Sequence, residues 1–284
     1  MQKIINCADT AQELFRRVSR GVVHSVYDKT VNISCGDGLL SLQAAGTVPS
    51  PLTLETDCTA QELRALGLRA GMEASFLRRG IYVGGVYFDA AQSAVWSAGI
   101  EKTLPASERT DLGFLLDCLR GIGPRGGFAD LALPEGERWK SSPCAAEAAG
   151  ILALCGAHIA GRCWADAALA LTELLGLGEG LTPSGDDFLC GVLAGSRFAG
   201  TQDATAFREA LCEILEARLD RTNDISAAFL RCALQGQFSR PVIALAQGVC
   251  LRVAVESFAA IGHSSGADTL SGMIYILGAL RSRV

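Results

Sequence analysis

Residues 176–187 read "GLGEGLTPSGDD", and residues 262–272 read "GHSSGADTLSG". The two stretches share the pattern S-G-x-D-x-L-x-G, starting at Ser184 and at Ser265, and both run into apolar segments. These residue types suit the binding of small anions. Gly176, Gly178 and Gly180 alternate, so the backbone there can turn sharply and present its amides. A helix N-terminus next to such a loop favours phosphate or carboxylate. Asp186 is a second acid beside Asp187, and His263 immediately precedes the second block. No Lys-Ser/Thr pair follows the glycines, so the loop is not a P-loop.

Capping explains part of the pattern without any ligand. A Ser at the N-cap with an acid three residues on forms a reciprocal box, and Ser184 with Asp187, and Ser265 with Asp268, have that spacing. An acid there also meets the positive helix end, worth ~0.3–1 kcal/mol when exposed. Thr182 followed by Pro183 is a rival cap for the first block. In "RTNDISAAFLRCALQGQF", Thr222 or Asn223 is expected to cap a helix that carries Ser226.

The capping scheme leaves Asp186, His263 and the glycines unexplained. The candidate set is therefore Asp186 and His263 for catalysis. Gly178, Gly180, Thr182, Ser184, Asp187, Ser264, Ser265, Asp268, Thr222 and Ser226 are candidates for binding. Neither block holds an arginine, the usual clamp for phosphate and carboxylate; Arg221, Arg231 or a partner chain would have to supply it. No Ser/His/Asp order, paired-Glu arrangement or metal-ligand cluster stands out. No cofactor is expected, although adjacent aspartates could hold Mg²⁺ beside a phosphate.

The elements that must position these residues follow from pattern. Residues 1–104 mix β-like runs ("GVVHSVYDKTVNISC", "LLSLQAAG", "PLTLETD", "GIYVGGVYFDAAQSAVW") with Gly and Pro turns and one short helix in "TAQELRALGLRAGM". They predict a small antiparallel sheet or a partly closed barrel. After Pro105, Leu112, Leu115, Leu116 and Leu119 fall at helical spacing behind a Ser107 or Thr110 cap, followed by the Gly/Pro-rich connection "GIGPRGGFADLALPEGE". From Ser142 onward nearly everything reads as apolar helix. The expectation is an α+β chain, with a β-rich domain at 1–104 packed on a helical domain at 105–284.

A net charge of −5 without a basic run argues against nucleic acid. No apolar stretch has the ~18–20 residues of a membrane helix. Eleven scattered cysteines, an odd number with no C-x-x-C pair, predict reduced thiols rather than a disulfide framework. The start, "MQKIINCADTAQELFRR", has no signal-peptide segment, so the expected location is cytoplasmic.

The two blocks resemble the signatures G-x-G-x-G-L-T-P-S-x-D-D and G-H-x-S-G-x-D-x-L-x-G of the small third subunit of bacterial oxamate carbamoyltransferase, a family formerly described as a domain of unknown function. Every fixed position is met. A middle pattern, T-T-x-x-S-x-x-x-L-x-x-A-x-x-G-x-F, is met from Thr222 to Phe238 except that Asn223 replaces the second Thr. The resemblance spans mainly residues 170–284. It implies carbamoyl transfer between carbamoyl phosphate and oxamate in allantoin (purine) catabolism, within a hetero-oligomer containing two larger subunits. Two alternatives stay open: a non-catalytic assembly subunit of that complex, and transfer to a different acceptor. A stand-alone hydrolase or kinase-like enzyme would need a nucleotide motif or nucleophile that the sequence does not display.

Overall fold

The computed structural model describes residues 2–36, 38–100, 111–138 and 143–281. The chain divides into two compact units, 1–99 and 100–284. The 104/105 boundary expected from sequence, and the proposed caps Ser107 and Thr110, lie outside the described residues.

The first unit is a closed barrel. Its strands are β1 (Gln2–Ala8), β2 (Arg20–Val26), β3 (Thr30–Cys35), β4 (Gly38–Gln43), β5 (Thr53–Thr56), β6 (Glu73–Leu77), β7 (Gly80–Val83), β8 (Val86–Asp89) and β9 (Ala94–Trp96). The strands follow the order β5-β4-β3-β2-β6-β7-β8-β1, and β1 pairs with β5 to complete the ring. β9 adds to β1 in parallel.

The sheet is mixed rather than antiparallel throughout. β4 runs parallel to β5, and β1 runs parallel to β8. Hairpin chemistry can deliver only antiparallel neighbours, so these parallel pairs come from longer connections that no local pattern announces. Val23, Val31, Ile33, Leu40, Leu42, Leu54, Ile81, Val83 and Phe88 are buried in this unit's core. Closing the sheet removes the exposed edges that would otherwise template pairing with other chains.

Two helices accompany the strands, α1 (Asp9–Arg17) and α2 (Ala60–Ala65). The second starts with a complete capping box between Thr59 and Glu62. α1 was not foreseen. Its signal is Ala11, Leu14 and Phe15 on one face behind Asp9, which is short enough to be lost beside a strand.

The second unit is helical: α3 (Leu112–Ile122), α4 (Pro143–Ala160), α5 (Trp164–Leu171), α6 (Ser184–Ala199), α7 (Gln202–Glu216), α8 (Asp224–Leu234), α9 (Arg240–Ala246), α10 (Leu251–Ala259) and α11 (Ser265–Arg281). Leu115 and Leu119 of α3 are buried, as their spacing requires. The centre of the unit is the α6–α11 pair, whose Phe188, Leu189, Val192, Leu193, Leu270, Met273 and Ile276 are buried. None of the described helices is long and apolar enough to cross a membrane. All eleven cysteines are free; Cys163 and Cys250 are exposed rather than buried.

Candidate functional site: two crossed helix starts

The repeated sequence builds a local two-fold arrangement. A Cβ on Gly191 would overlap the carbonyl oxygen of Thr269, and a Cβ on Gly272 would overlap that of Phe188. These are equivalent contacts, exchanged between the two copies. Gly195 packs on Met273 and Ile276 in the same seam. Only glycine allows two backbones this close, so α6 and α11 run side by side with both N-termini at one end. The start of each helix is seated in the same way. Gly185 donates its N–H to Leu177 (2.8 Å) and Gly266 donates to Ile261 (3.3 Å). Cβ atoms on these glycines would overlap the carbonyls of Leu174 and Phe258.

The capping scheme read from sequence does not occur. α6 begins at Ser184, so Pro183 occupies the N-cap and no side chain caps the helix. α11 begins at Ser265, which likewise moves Ser265 out of the cap position. The acids take other partners. Thr182 Oγ1 donates to Asp187 Oδ2 at 2.9 Å and lies 3.0 Å from Ser265 Oγ. Phe128 donates its backbone N–H to Asp268 Oδ1 at 2.6 Å. Gly127, at φ +62°, leaves the space this carboxyl fills. The connection that reads as a linker therefore forms one wall of the site. The adjacent glycines 126 and 127, both at positive φ, are the signal that could have shown it.

Asp186 holds the glycine loop. Its Oδ1 accepts the N–H of Gly176 at 2.9 Å, and its Oδ2 accepts the hydroxyl of Thr222. It is 2% exposed. The N–H groups of Gly178, Gly180 and Thr182 donate to no protein group among the described residues. Gly178 (φ +122°) and Gly180 (φ +106°) adopt backbone conformations that only glycine takes easily. Asn223, not Thr222, caps α8: its Oδ1 accepts from Ile225 (3.1 Å) and Ser226 (3.0 Å). Its Nδ2 donates to the Leu181 carbonyl at 3.1 Å.

Electrostatically the recess differs from an ordinary helix start. Burial pushes Asp187 up to about 8, reinforced by the nearby Asp268 and Asp186 and opposed by the Ser265 and Thr182 hydroxyls. Burial also pushes Asp268 up to about 7, against the Phe128 N–H and the nearby Ser184 and Ser264. A helix terminus favours the anion by up to ~2 kcal/mol, or about 1.5 pKa units, so desolvation wins here. Asp187 is nevertheless only half-buried. Asp268 is fully buried, and its Oδ2 has no hydrogen-bond partner among the described residues. Ser226 Oγ, also buried, has none. Cys190 is held well above the ordinary thiol range by burial and by Asp187 and Asp186. It is therefore a thiol at neutral pH and a poor nucleophile.

The remaining candidates fall apart from this centre. His263 is exposed, two residues before Ser265, with no hydrogen bond among the described residues. Arg221 is not a free clamp: its Nη1 and Nη2 each lie 3.0 Å from Glu173, which also takes Arg218. A carboxylate that satisfies the guanidinium fork on both arms leaves little for a substrate. Arg231 is exposed on α8. Asp186 and Asp187 engage different partners rather than converging as chelating ligands. Among the described residues the grouping with metal-ligand spacing lies elsewhere, at His158, Cys163 and Asp166.

The helical unit is built on a glycine-seamed pair of repeated helix starts, with a buried acid pair and free loop amides at one end. The family described as oxamate carbamoyltransferase subunit AllH matches residues 174–277, the segment that contains both starts. The AllH family N-terminal domain matches residues 2–95, the barrel. The chain belongs to this family of carbamoyltransferase subunits. No solved structure matches it.

Proposed function

We propose that this chain contributes a substrate-binding recess to an oxamate carbamoyltransferase, acting with two larger subunits on oxalurate and phosphate in allantoin catabolism. The observation that carries the reading is the loop before α6, where the N–H groups of Gly178, Gly180 and Thr182 have no protein acceptor among the described residues and lie beside the raised carboxyl of Asp187.

In the reaction, a phosphate oxygen attacks the carbamoyl carbon of oxalurate. The bond from that carbon to the oxamate nitrogen breaks, and the nitrogen takes a proton. Carbamoyl phosphate and oxamate result. An amide nitrogen leaves poorly unless protonated, and Asp187, still a carboxylic acid near neutrality, can deliver that proton. A protonated Asp187 also avoids the repulsion that a carboxylate would exert on phosphate. The free amides of Gly178, Gly180 and Thr182 suit anion oxygens, with Ser184, Ser264 and Ser265 as further donors. Asp186, with Thr222 and Ser226 beside it, positions the loop. His263, two residues before Ser265 in the chain, would donate to a bound oxygen. The reading uses no cofactor and no metal, so a chelator should leave turnover unchanged.

The test is oxalurate phosphorolysis by the reconstituted complex. Asp187→Asn should lower kcat by ~10²-fold or more and His263→Ala by less, with assembly intact. Wild-type turnover in Asp187→Asn would remove this residue from the chemistry.

One observation favours a second reading, a subunit that assembles the site without doing chemistry. Two anions need a cation, and Arg221 is already committed to Glu173. Carbamoyl phosphate binding to the isolated chain would count against this reading. Binding only after the larger subunits are added would support it. Oxamate itself, rather than another acceptor, rests on the family and is tested by varying the acceptor.

A further inference from the structure

The barrel unit holds a cavity of about 660 Å³. Arg16, Arg78 and Arg79 line it, with Gln12 and Ser93 as further polar groups. Among the described residues, none of the three guanidiniums makes an ion pair or a side-chain hydrogen bond. Three cations facing one hollow repel each other unless something negative enters. Arg78 and Arg79 form the two-residue connection between β6 and β7, where Leu77 pairs with Gly80. Neither arginine has a positive φ, so the turn accepts most residue types and does not itself call for arginine. Arg16 comes from the last turn of α1 and approaches the same space from another element.

Size and lining narrow the ligand. The cavity falls within the ~300–1,000 Å³ typical of small-molecule sites, far more than a reactant as small as carbamoyl phosphate or oxamate would fill. Ile4, Phe15 and Leu54 add apolar surface to the lining. Arginine forks match phosphate oxygens bidentately. We propose that the barrel cavity binds a phosphorylated small molecule of about mononucleotide size, its phosphate held by Arg16, Arg78 and Arg79 and its flat or apolar body against Phe15. Every residue lining this cavity belongs to the barrel unit, and the inference stands whether or not the α6–α11 helix starts carry carbamoyl transfer.

Calorimetric titration of the full-length chain with AMP, ADP and flavin mononucleotide tests it, with inorganic phosphate and carbamoyl phosphate as size controls. At least one of the three nucleotides should saturate the chain. Arg16→Gln, Arg78→Gln and Arg79→Gln should each weaken that nucleotide about tenfold, and the triple variant should abolish binding. These side chains are exposed, and an unchanged circular dichroism spectrum would show that the variants fold. Inorganic phosphate and carbamoyl phosphate should bind at least tenfold more weakly than the nucleotide. The proposal is overturned if none of the three nucleotides binds, if the triple variant retains wild-type affinity, or if inorganic phosphate alone binds as tightly.

Discussion

Thr182 and Ser265 lie 83 positions apart in the chain, and their hydroxyl oxygens stand 3.0 Å from each other. This contact ties the two sequence blocks together. It also turns Asp187 away from capping and toward the other helix, where burial dominates its chemistry.

The first prediction concerns pH. Asp187 and Asp268 are raised to about 8 and about 7 in the folded chain, against 3.8 for an unperturbed aspartate. Between pH ~4 and ~8 the folded state therefore binds protons that the unfolded state has released, and stability falls as pH rises. Their contribution is complete below about pH 4 and is lost as pH climbs through 7 and 8. Asp187→Asn and Asp268→Asn should flatten this slope and make the variants relatively more stable at pH 8 than at pH 5. Urea unfolding at the two pH values measures it, and an unaltered slope in both variants would refute the protonated pair.

Turnover should follow the same titration. If Asp187 donates a proton from its acid form, the rate of oxalurate phosphorolysis should decline as pH passes about 8. In Asp187→Asn the residual rate should lose that limb. A variant profile that keeps the same alkaline decline assigns the titration to another group.

The helix seam makes a contrast among glycines. Gly191→Ala and Gly272→Ala would each drive a methyl into a facing carbonyl and should destabilise by ~1–3 kcal/mol or more. Gly278, on the same helix as Gly272, has nothing within 4 Å of a built Cβ. Gly278→Ala should be neutral or stabilising by up to ~1 kcal/mol. Thermal unfolding of the three variants settles the comparison, and equal effects would mean that α6 and α11 do not pack this closely.

Asp186 is an anchor, which makes its signature different from that of Asp187. Asp186→Ala leaves the Gly176 N–H and the Thr222 hydroxyl without their acceptor, a cost of ~1–3 kcal/mol. Hydrogen exchange at the Gly176 amide should accelerate. An unchanged exchange rate there would show that the loop is held by other means.

The cap of α8 is the last. Asn223→Ala removes two accepted hydrogen bonds and the donor to Leu181, and should cost ~0.5–2 kcal/mol. Asn223→Asp should restore the cap without restoring the Leu181 contact, so comparing the two separates helix capping from loop anchoring.

Much of this was legible in the linear order of residues. The repeated S-G-x-D-x-L-x-G marked two helices that begin alike, and the alternating glycines marked a loop that turns sharply. The alternation of β-branched runs and turns marked a β-rich first unit, and the leucine spacing marked α3. Three features were not legible. The strands β1 and β5 are far apart in sequence, so their closure of the barrel depends on a long-range register. The linker-like glycines at 126 and 127 gain meaning only because Asp268 arrives beside them. Arg221 reads as a free clamp until Glu173 is found against it.

Local chemistry determined which residues could bind an anion, because glycine freedom, hydroxyl donors and helix ends are properties of short segments. Tertiary structure alone decided which carboxyls burial pushes up. Whether a carboxyl keeps its charge depends on how much water and which neighbours surround it, and those arrive from distant parts of the chain.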